Sequence, residues 1–466
     1  MTYPKGMGGA PDLRALWRKQ RERWHRLPDQ TRRRVILAIQ VLVVVVLAPF
    51  WWGFAALVAV FFALYWIPQD LAIPTPWRKI RVRATITPLV ALTLAIVYPF
   101  VRGGIDSLPG VGPWPQMDTA VIMTVYAMMA VGLNIVVGYA GLLDLGYVAF
   151  YAVGAYTAAW FASVQFAKQN VHFGSVGVGP TVPGIHISIW ILLLLAGIVT
   201  AFIGVVIGLP TLRLRGDYLA IVTLGFGEIL PQVARNGDSL GGFNLTNGPN
   251  GITPIDPPGF GKTLHNATGG FLPDNYLAIA NRNNAYFWTG LALVVITVFA
   301  SIRLRDSRLG RAWIAIREDE VAAAAMGIPL MRTKTWAYAS GAFFGGVAGA
   351  FFASFKSSTF PNDFSFNISA FILSMVILGG MGNVWGVIVG GAVLAYLNQE
   401  GLANIGAKLN SNFGWHLDVP LYAPGIFGAI LVIMMLVRPA GLLPSARRRA
   451  EFEEGVHDQP LYDAAA

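Results

Sequence analysis

Long apolar runs alternate with short polar stretches along most of the chain. An α-helix rises 1.5 Å per residue, so roughly 20 apolar residues cross a hydrocarbon core of about 30 Å. The pattern therefore predicts membrane-spanning helices rather than a soluble domain. Beyond the first run, the predicted apolar helices cover residues 84–101, 119–137, 142–164, 188–209, 218–234, 286–302, 335–355, 369–378, 384–399 and 421–437.

The first apolar run, residues 35–67, is too long for one crossing, because as a single helix it would extend about 50 Å. Pro49 divides it, and basic residues flank both ends. Since cytoplasmic loops are enriched in Lys and Arg, the run crosses the membrane an even number of times. We expect a hairpin of two short helices, and the sequence leaves open whether the hairpin spans fully.

The segments 369–378 and 384–399 form a broken pair, separated by the glycine-rich stretch GGMGN at 379–383. Glycine adopts positive φ without steric cost, so this stretch ends one helix and permits a tight turn or a re-entrant loop. Counted as two, the pair brings the total to twelve segments, with both termini cytosolic. The predicted fold class is all-α, a polytopic membrane helical bundle of about 10–12 transmembrane or re-entrant helices.

Composition agrees with a membrane location. Hydrophobic residues make up 55% of the chain and charged residues only 12%, although the net charge is +10. The basic residues concentrate at the ends of apolar runs, where they act as topology signals, so we expect a lipid membrane and no nucleic acid as partner. They cluster at 32–34, 78–83, 213–215, 303–311, 438 and 447–449.

The sequence offers no catalytic constellation. It contains no cysteine, and its six histidines fit no metal-ligand spacing. The stretch PPGFGKT at 257–263 ends like a phosphate-binding loop, but Asp256 stands in place of the first glycine and no buried strand precedes it. We therefore predict no metal, no cofactor and no ATPase site in this chain, which is then not an enzyme.

A charged, alanine-rich stretch at residues 308–334, which we call the charged segment, lies between two apolar runs. Acidic residues at 318–320 suit a helix N-terminus, alanines at 322–325 favour a helix, and Gly327 with Pro329 supplies a stop. The pattern predicts a short cytosolic helix. Such a helix either docks onto a soluble partner or lies on the lipid surface as an amphipathic connector.

Three polar residues at membrane depth are candidates for a translocation path: Asn134, Asp144 and Glu228. A polar or charged side chain is costly there and usually faces the bundle interior or an aqueous path. For Glu228, a structural pairing and a place in the path are equally open. For Asn134 and Asp144, a structural role is the favoured interpretation.

Gly341, Gly345 and Gly349 recur at every fourth position of the predicted helix 335–355. This spacing places a small face along the helix, so that a neighbouring backbone can approach closely. We predict helix packing, either inside the bundle or against a partner subunit.

The stretch 236–285 falls on the external side by the same alternation of basic residues. It is long and rich in Gly, Pro and Asn. The sequence leaves three interpretations open: a binding surface, a partly re-entrant segment, or a flexible connection.

Four separated blocks of the sequence resemble one known family: GLNIVVGYAGLLDLGYVAFYAVGAY at 132–156, PTLRLRGDYLAIVTLGFGEI at 210–229, LTNGPNGI at 245–252 and RPAGLL at 438–443. They resemble the signatures of the LivM-type permease subunit of the branched-chain amino acid ABC transporter family.

This resemblance divides the chain. It implies a permease transmembrane domain at 119–444, preceded at 35–118 by an N-terminal extension that holds the helical hairpin and a third helix. Residues 1–34 are expected to form a basic cytosolic segment, and residues 445–466 a cytosolic tail.

The resemblance also assigns the charged segment. The stretch REDEVAAAAMGI at 317–328 resembles the coupling motif that docks into a groove of the ATPase subunit in such importers. The residues that carry this match are Arg317, Glu318, Asp319, Glu320, Ala324 and Gly327.

An ATP-driven importer in the bacterial cytoplasmic (inner) membrane is what the resemblance implies. Its other parts are a homologous second permease subunit, two cytosolic ATPase subunits that bind the ATP, and a periplasmic or extracellular solute-binding protein. The expected substrates are leucine, isoleucine and valine, or related small amino acids and amides. The alternative is a secondary transporter driven by an ion gradient, with Glu228 and Asp144 as ion sites, which leaves the charged segment unexplained.

Overall fold

The computed structural model describes residues 72–74, 79–105, 114–214, 217–239, 241–270, 272–279, 281–414, 418–437 and 441–443. The predicted hairpin at 35–67, the segment 1–34 and the tail 445–466 lie outside these residues. The chain divides into two compact units, residues 1–114 and 115–466.

The described part of the first unit is a short ribbon followed by one helix. Strand β1, Ala72–Pro74, pairs antiparallel with β2, Lys79–Arg81, and helix α1, Val82–Ile105, follows directly. Apolar side chains such as Leu89 and Phe100 are exposed along α1. This outward apolar surface suits a helix in lipid, in agreement with the predicted span 84–101.

The second unit is mostly helical, and five of the described helical stretches are long and apolar enough to cross a membrane. The predicted all-α polytopic fold is thereby confirmed. The helices are α2 Met117–Leu133, α3 Val148–Phe161, α4 Ile189–Thr211, α5 Asp217–Arg235, α6 Gly261–Ala267, α7 Arg282–Asp306, α8 Arg308–Glu318, α9 Glu320–Ala325, α10 Leu330–Lys356, α11 Phe366–Gly379, α12 Val384–Tyr396, α13 Leu402–Phe413 and α14 Ala423–Val437.

Helix α10 occupies the centre of this unit and packs against α2, α3 and α4. Gly341, Gly345 and Gly349 all lie on its packed faces and are buried or nearly so. An added Cβ would lie 2.4 Å from Val136 Cγ2 at Gly341 and 2.0 Å from Tyr151 O at Gly349. These glycines therefore let neighbouring segments of the same subunit approach the α10 backbone closely.

Helix α2 continues into a π-helical segment, Asn134–Tyr139, all of whose residues are buried. The chain then turns at Gly141, whose φ is +70°. The predicted span 142–164 is thus shorter in the structure: α3 begins only at Val148, and Asp144 lies in the loop before it. The glycines at 138, 141 and 146 disfavour a continuous helix here, although the apolar residues between them led the sequence analysis to predict one.

A small sheet follows α3, which the sequence did not predict. Strands β3 Ala162–Ser163, β4 Asn170–Phe173 and β5 Gly184–Ile187 form the order β3-β5-β4, with β3 antiparallel and β4 parallel to β5. Strands of two to four residues are too short to leave a periodic signal in the sequence.

The sheet joins the stretch 241–279 in one layer at the far end of α10, which we call the distal layer. Ser163 bridges Ile255, and Ile252 bridges Thr359, just beyond the end of α10. Trp190 Nε1 also donates to Gly259 O over 2.9 Å. The long polar stretch is therefore packed on the bundle rather than extended from it.

The glycine-rich stretch after α11 forms a tight turn, one of the two alternatives that the sequence left open. Gly380 and Gly382 have φ of 112° and 83°, and α12 begins at Val384. An added Cβ on Gly379 would lie 2.3 Å from Gly386 O, so the two helices touch backbone to backbone. Helix α12 then runs through a second π segment, Leu397–Gly401, into α13, beyond the predicted end at residue 399.

Candidate functional site

The charged segment contains two short helices where the sequence predicted one. Helix α8 ends at Glu318, and α9 starts at Glu320. Between them Asp319 is extended, and its Oδ1 accepts hydrogen bonds from Val321 N (2.8 Å) and Ala322 N (3.0 Å). An aspartate cap of this kind stabilises a helix start by about 1 kcal/mol, so the acidic cluster acts at the start of α9.

Gly327 ends α9 in the left-handed conformation, with φ of +82°. Its N–H donates to Ala324 O over 3.0 Å, and Ile328 N donates to Ala323 O over 3.1 Å. The chain thereby reverses and enters α10 within three residues. This is the stop that Gly327 and Pro329 predicted.

Two buried contacts fix helices α8 and α9 to the start of α10. The Trp313 side chain is fully buried, and its Nε1 donates to Thr333 O over 2.8 Å. Lys334 Nζ lies 2.8 Å from Glu320 Oε1, with the lysine side chain 5% and the glutamate side chain 28% exposed. Because α8 and α9 are each tied to α10, a force applied to either helix acts on the central helix of the bundle.

The surface of helix α9 that faces away from the bundle is nevertheless apolar. Val321 is 69% exposed and Met326 84% exposed, and Ala324 and Gly327 beside them are also exposed. An apolar surface on a firmly anchored element is typical of an interaction site.

The six residues of the predicted coupling motif face two different directions. Four are exposed: Glu318, Asp319, Ala324 and Gly327. The other two turn inward, Glu320 to Lys334 and Arg317 to the bundle, where its Nη1 donates to Gly138 O over 2.6 Å.

Asn134 and Asp144 are both buried, and each bonds to backbone. Asn134 Oδ1 accepts from Gly382 N over 2.8 Å, which joins the π segment to the α11–α12 turn. Asp144 Oδ1 accepts from Gly146 N over 2.8 Å within its own loop. Both residues hold irregular backbone in place.

Glu228 lies apart from these two, near the middle of α5, and its side chain is exposed. The opposite side of α5 packs on the loop that carries Asp144, where Leu145 N donates to Thr223 Oγ1 over 3.0 Å. In the described part of the chain Glu228 forms no hydrogen bond or ion pair. A carboxylate is unfavourable against lipid.

Sequence reasoning missed Trp313 and Lys334, which anchor α8 and α9 to α10. It also missed Gly138, whose carbonyl accepts a hydrogen bond from Arg317. A tryptophan within a charged helix is a usable signal for burial, because its large apolar ring is rarely left exposed. Lys334 carries no such signal, since a lysine at the start of a membrane helix is an ordinary topology residue.

The distal layer holds a buried polar pair. His186 Nδ1 lies 2.8 Å from Asp256 Oδ2, and the His172 ring stacks on the His186 ring with centroids 4.8 Å apart. Burial raises the pKa of the Asp256 carboxyl, and the hydrogen bond from His186 and the charges of both histidines only partly offset this. The pair ties strand β5 to the stretch that follows α5.

Asp256→Asn is expected to flatten the pH dependence of stability. A carboxyl whose pKa is raised by folding binds more protons when folded, so its contribution to stability falls as pH rises above its unfolded pKa of about 3.9. Melting temperatures of the detergent-solubilised protein between about pH 4 and pH 7 measure this. An identical pH profile in Asp256→Asn and the unchanged protein would contradict it.

Comparison with known proteins gives a family for this chain. Residues 117–437 match the family described as branched-chain amino acid transport system / permease component. The chain is 37% identical over 377 residues to the high-affinity branched-chain amino acid transport system permease protein LivM of Salmonella typhimurium, covering 79% of this chain and 76% of that protein. The LivM protein of Escherichia coli is 36% identical over 379 residues, covering 79% and 77%.

A more distant relative also matches: the permease protein LivH of Escherichia coli is 28% identical over 173 residues, 36% of this chain and 50% of that protein. No solved structure matches the chain. The family match covers all the described elements of the second unit from α2 to α14, including the charged segment and the α11–α12 turn. The chain therefore belongs to the family of branched-chain amino acid transport system permease components.

Proposed function

We propose that this chain is one membrane half of an ATP-driven importer, coupled through the charged segment to cytosolic ATPase subunits. Its family makes it a multi-pass membrane permease component. The two LivM relatives are named for high-affinity branched-chain amino acid transport, which supports leucine, isoleucine and valine, or related small amino acids and amides, as substrates.

The exposed apolar surface of α9 carries this proposal. Val321 and Met326 are exposed at the surface of the subunit, although the contacts of Trp313 and Lys334 hold α8 and α9 firmly against α10. A lipid-surface connector fits less well, because α9 itself contains no Lys or Arg to attract the anionic cytoplasmic leaflet, and Asp319 at its start is acidic. A soluble partner with an apolar groove accounts both for the exposed apolar side chains of α9 and for their firm attachment to the bundle.

The remaining partners follow from the same assembly. A second permease subunit is supported by the match to LivH, since two related permease proteins carry the same transport system's name. We place the solute-binding protein on the distal layer, and the charged segment and both termini on the cytosolic side of a bacterial inner membrane. ATP binds to the partner ATPases in this scheme.

Glu228 is our candidate for the translocation path. Its exposed carboxylate requires a polar neighbour, which the second permease subunit or an aqueous path between the two subunits would supply. Asn134 and Asp144 contribute to the path indirectly, because their hydrogen bonds to backbone N–H groups hold the shape of the segments around it.

A crosslink from Met326 tests the docking surface. The chain contains no cysteine, so Met326→Cys gives a single thiol on α9. After affinity purification from native membranes in mild detergent, a thiol-to-amine crosslinker is expected to join this chain to a co-purifying ATPase subunit. Phe173→Cys, equally single and exposed in the distal layer, is the matched control and should give no such product.

The outcome against the proposal is a chain that purifies alone and transports in response to an ion gradient. That result would establish the secondary transporter instead.

Gly327→Val is expected to abolish most uptake while membrane insertion stays intact. No atom lies within 4 Å of an added Cβ at this position, so the cost comes from the positive φ, about 1–3 kcal/mol for a residue other than glycine. Gly327→Asn is the control, because asparagine tolerates this conformation. Uptake into membrane vesicles measures the effect. If Gly327→Val and the unchanged protein took up substrate equally well, docking would not depend on the left-handed end of α9.

A further inference from the structure

Arg317 makes a contact that the exposed docking surface does not require. Its guanidinium points away from the apolar patch of α9 and donates to Gly138 O over 2.6 Å. Gly141 lies close by, where an added Cβ would be 2.7 Å from Arg317 Cγ. Gly141, at the turn that follows the π segment, thus leaves room for the Arg317 side chain.

The acceptor lies in an unusual piece of helix. Gly138 belongs to the π segment Asn134–Tyr139, in which the i→i+5 pattern replaces the regular hydrogen bonding of α2. Such segments are rare and occur frequently at functional sites. The charged segment therefore contacts the bundle where the regular hydrogen bonding of α2 is interrupted.

Asn134 continues this contact to the next element. Its Oδ1 accepts from Gly382 N over 2.8 Å, at the turn between α11 and α12. Gly138 lies against the same amide: an added Cβ on Gly138 would be 2.0 Å from Asn134 Oδ1 and 2.7 Å from Gly382 N. No side chain at position 138 is compatible with this geometry.

The α11–α12 turn is held on its other side as well. Leu442 N donates to Leu378 O over 2.8 Å, and Leu443 N donates to Gly379 O over 3.1 Å. Asn383 Nδ2 donates in turn to Leu443 O over 2.8 Å. The turn is a closed hydrogen-bonded unit, so a pull on Gly382 displaces the ends of α11 and α12 together.

We propose that Arg317 and Asn134 are positioning residues that transmit movement of the charged segment to the α11–α12 turn through the π segment. This inference rests on the proposed function, because it needs a partner that moves the charged segment. Trp313 and Lys334 carry movement to α10, and Arg317 gives the same segment a second route to a different pair of helices. Helices α10, α11 and α12 are then displaced by one event at the cytosolic side.

The test measures coupling rather than activity alone. The complex is purified with its ATPase subunits and reconstituted in liposomes, and leucine uptake and ATP hydrolysis are followed in the same sample. Arg317→Gln removes the charged donor, and Arg317→Lys retains one. Gly138→Ala displaces the Asn134 amide from Gly382, whereas Gly428→Ala in α14 is the matched control, with nothing within 4 Å of the added Cβ.

We expect Arg317→Gln and Gly138→Ala to lower the leucine taken up per ATP hydrolysed by about tenfold, with Arg317→Lys and Gly428→Ala close to the unchanged protein. Should Gly138→Ala fail to accumulate in membranes, Asn134→Ala removes the same acceptor without adding volume. A merely structural role would lower melting temperature and leave this ratio unchanged.

An unchanged ratio in Arg317→Gln, Gly138→Ala and Asn134→Ala overturns the inference. Loss of the ATPase subunits from the purified Arg317→Gln complex also overturns it, because Arg317 would then be a docking residue. Failure of the unmodified chain to retain ATPase subunits is a separate result, seen before any variant is made, and it contradicts the proposed function itself.

Discussion

Trp313→Ala is expected to destabilise the purified protein by about 3–5 kcal/mol and to abolish uptake. The Trp313 ring is fully buried between α8 and α10, and its Nε1 donates to Thr333 O over 2.8 Å. Alanine would leave a cavity and remove the hydrogen bond to Thr333 O that fixes α8 to α10. Melting temperature in detergent and uptake into membrane vesicles measure the two effects.

Trp313→Phe separates the ring from the hydrogen bond. Phenylalanine keeps most of the buried volume and loses only the donor, at a cost of about 1 kcal/mol. If Trp313→Ala proved no worse than Trp313→Phe, burial of the ring would not be what anchors the segment.

Gly349→Ala is expected to destabilise the bundle by about 1–3 kcal/mol and to lower the amount of folded protein in membranes. The added methyl would lie 2.0 Å from Tyr151 O and 2.9 Å from Ala155 N, both in the backbone of α3. Backbone cannot rotate away as a side chain can, so α10 and α3 would have to separate. Thermal melting of the detergent-solubilised protein gives the size of the effect.

The matched control for this change is Gly425→Ala in α14. It also introduces alanine into a membrane helix, but nothing lies within 4 Å of the added Cβ. Comparable melting temperatures for the two variants would show that contact between α10 and α3 at Gly349 contributes little to stability.

The sequence predicted the long membrane helices well, because a lipid environment requires continuous apolar residues and leaves few other solutions. The expected span 188–209 appears as Ile189–Thr211, and the expected span 335–355 appears within Leu330–Lys356. Both extend into charged or polar residues that can lie at the membrane surface. The turn after α11 was predicted for a similar reason, since three glycines cannot continue a stable helix.

The distal layer and the end of α2 were harder to predict. Strands β4 and β5 have four residues each and pair across a loop, so their formation depends on tertiary contacts such as that between His186 and Asp256. The π segment Asn134–Tyr139 consists of ordinary apolar and small residues apart from Asn134. Its hydrogen-bond partners Arg317 and Gly382 are distant in the sequence.

The candidate site shows the same limit. The sequence indicated that the stretch around Glu318 to Gly327 forms a helix with defined ends, and the caps at Asp319 and Gly327 agree. It did not indicate that Arg317 faces inward, because the acceptor at Gly138 is 179 positions away in the sequence. Local propensity gives the position of a helix along the chain, whereas the direction of each side chain depends on the partners that the fold brings.

The closure of the α11–α12 turn by Leu443 has a consequence for the order of synthesis. Asn383 and Leu443 are separated by 60 residues, so the turn has emerged from the ribosome well before its last partner exists. At a rate of about 5–20 residues per second, this delay is roughly 3–12 s. During that interval α11 and α12 must wait in the membrane with an incompletely bonded connection, and only the final stretch of the nascent permease domain completes it.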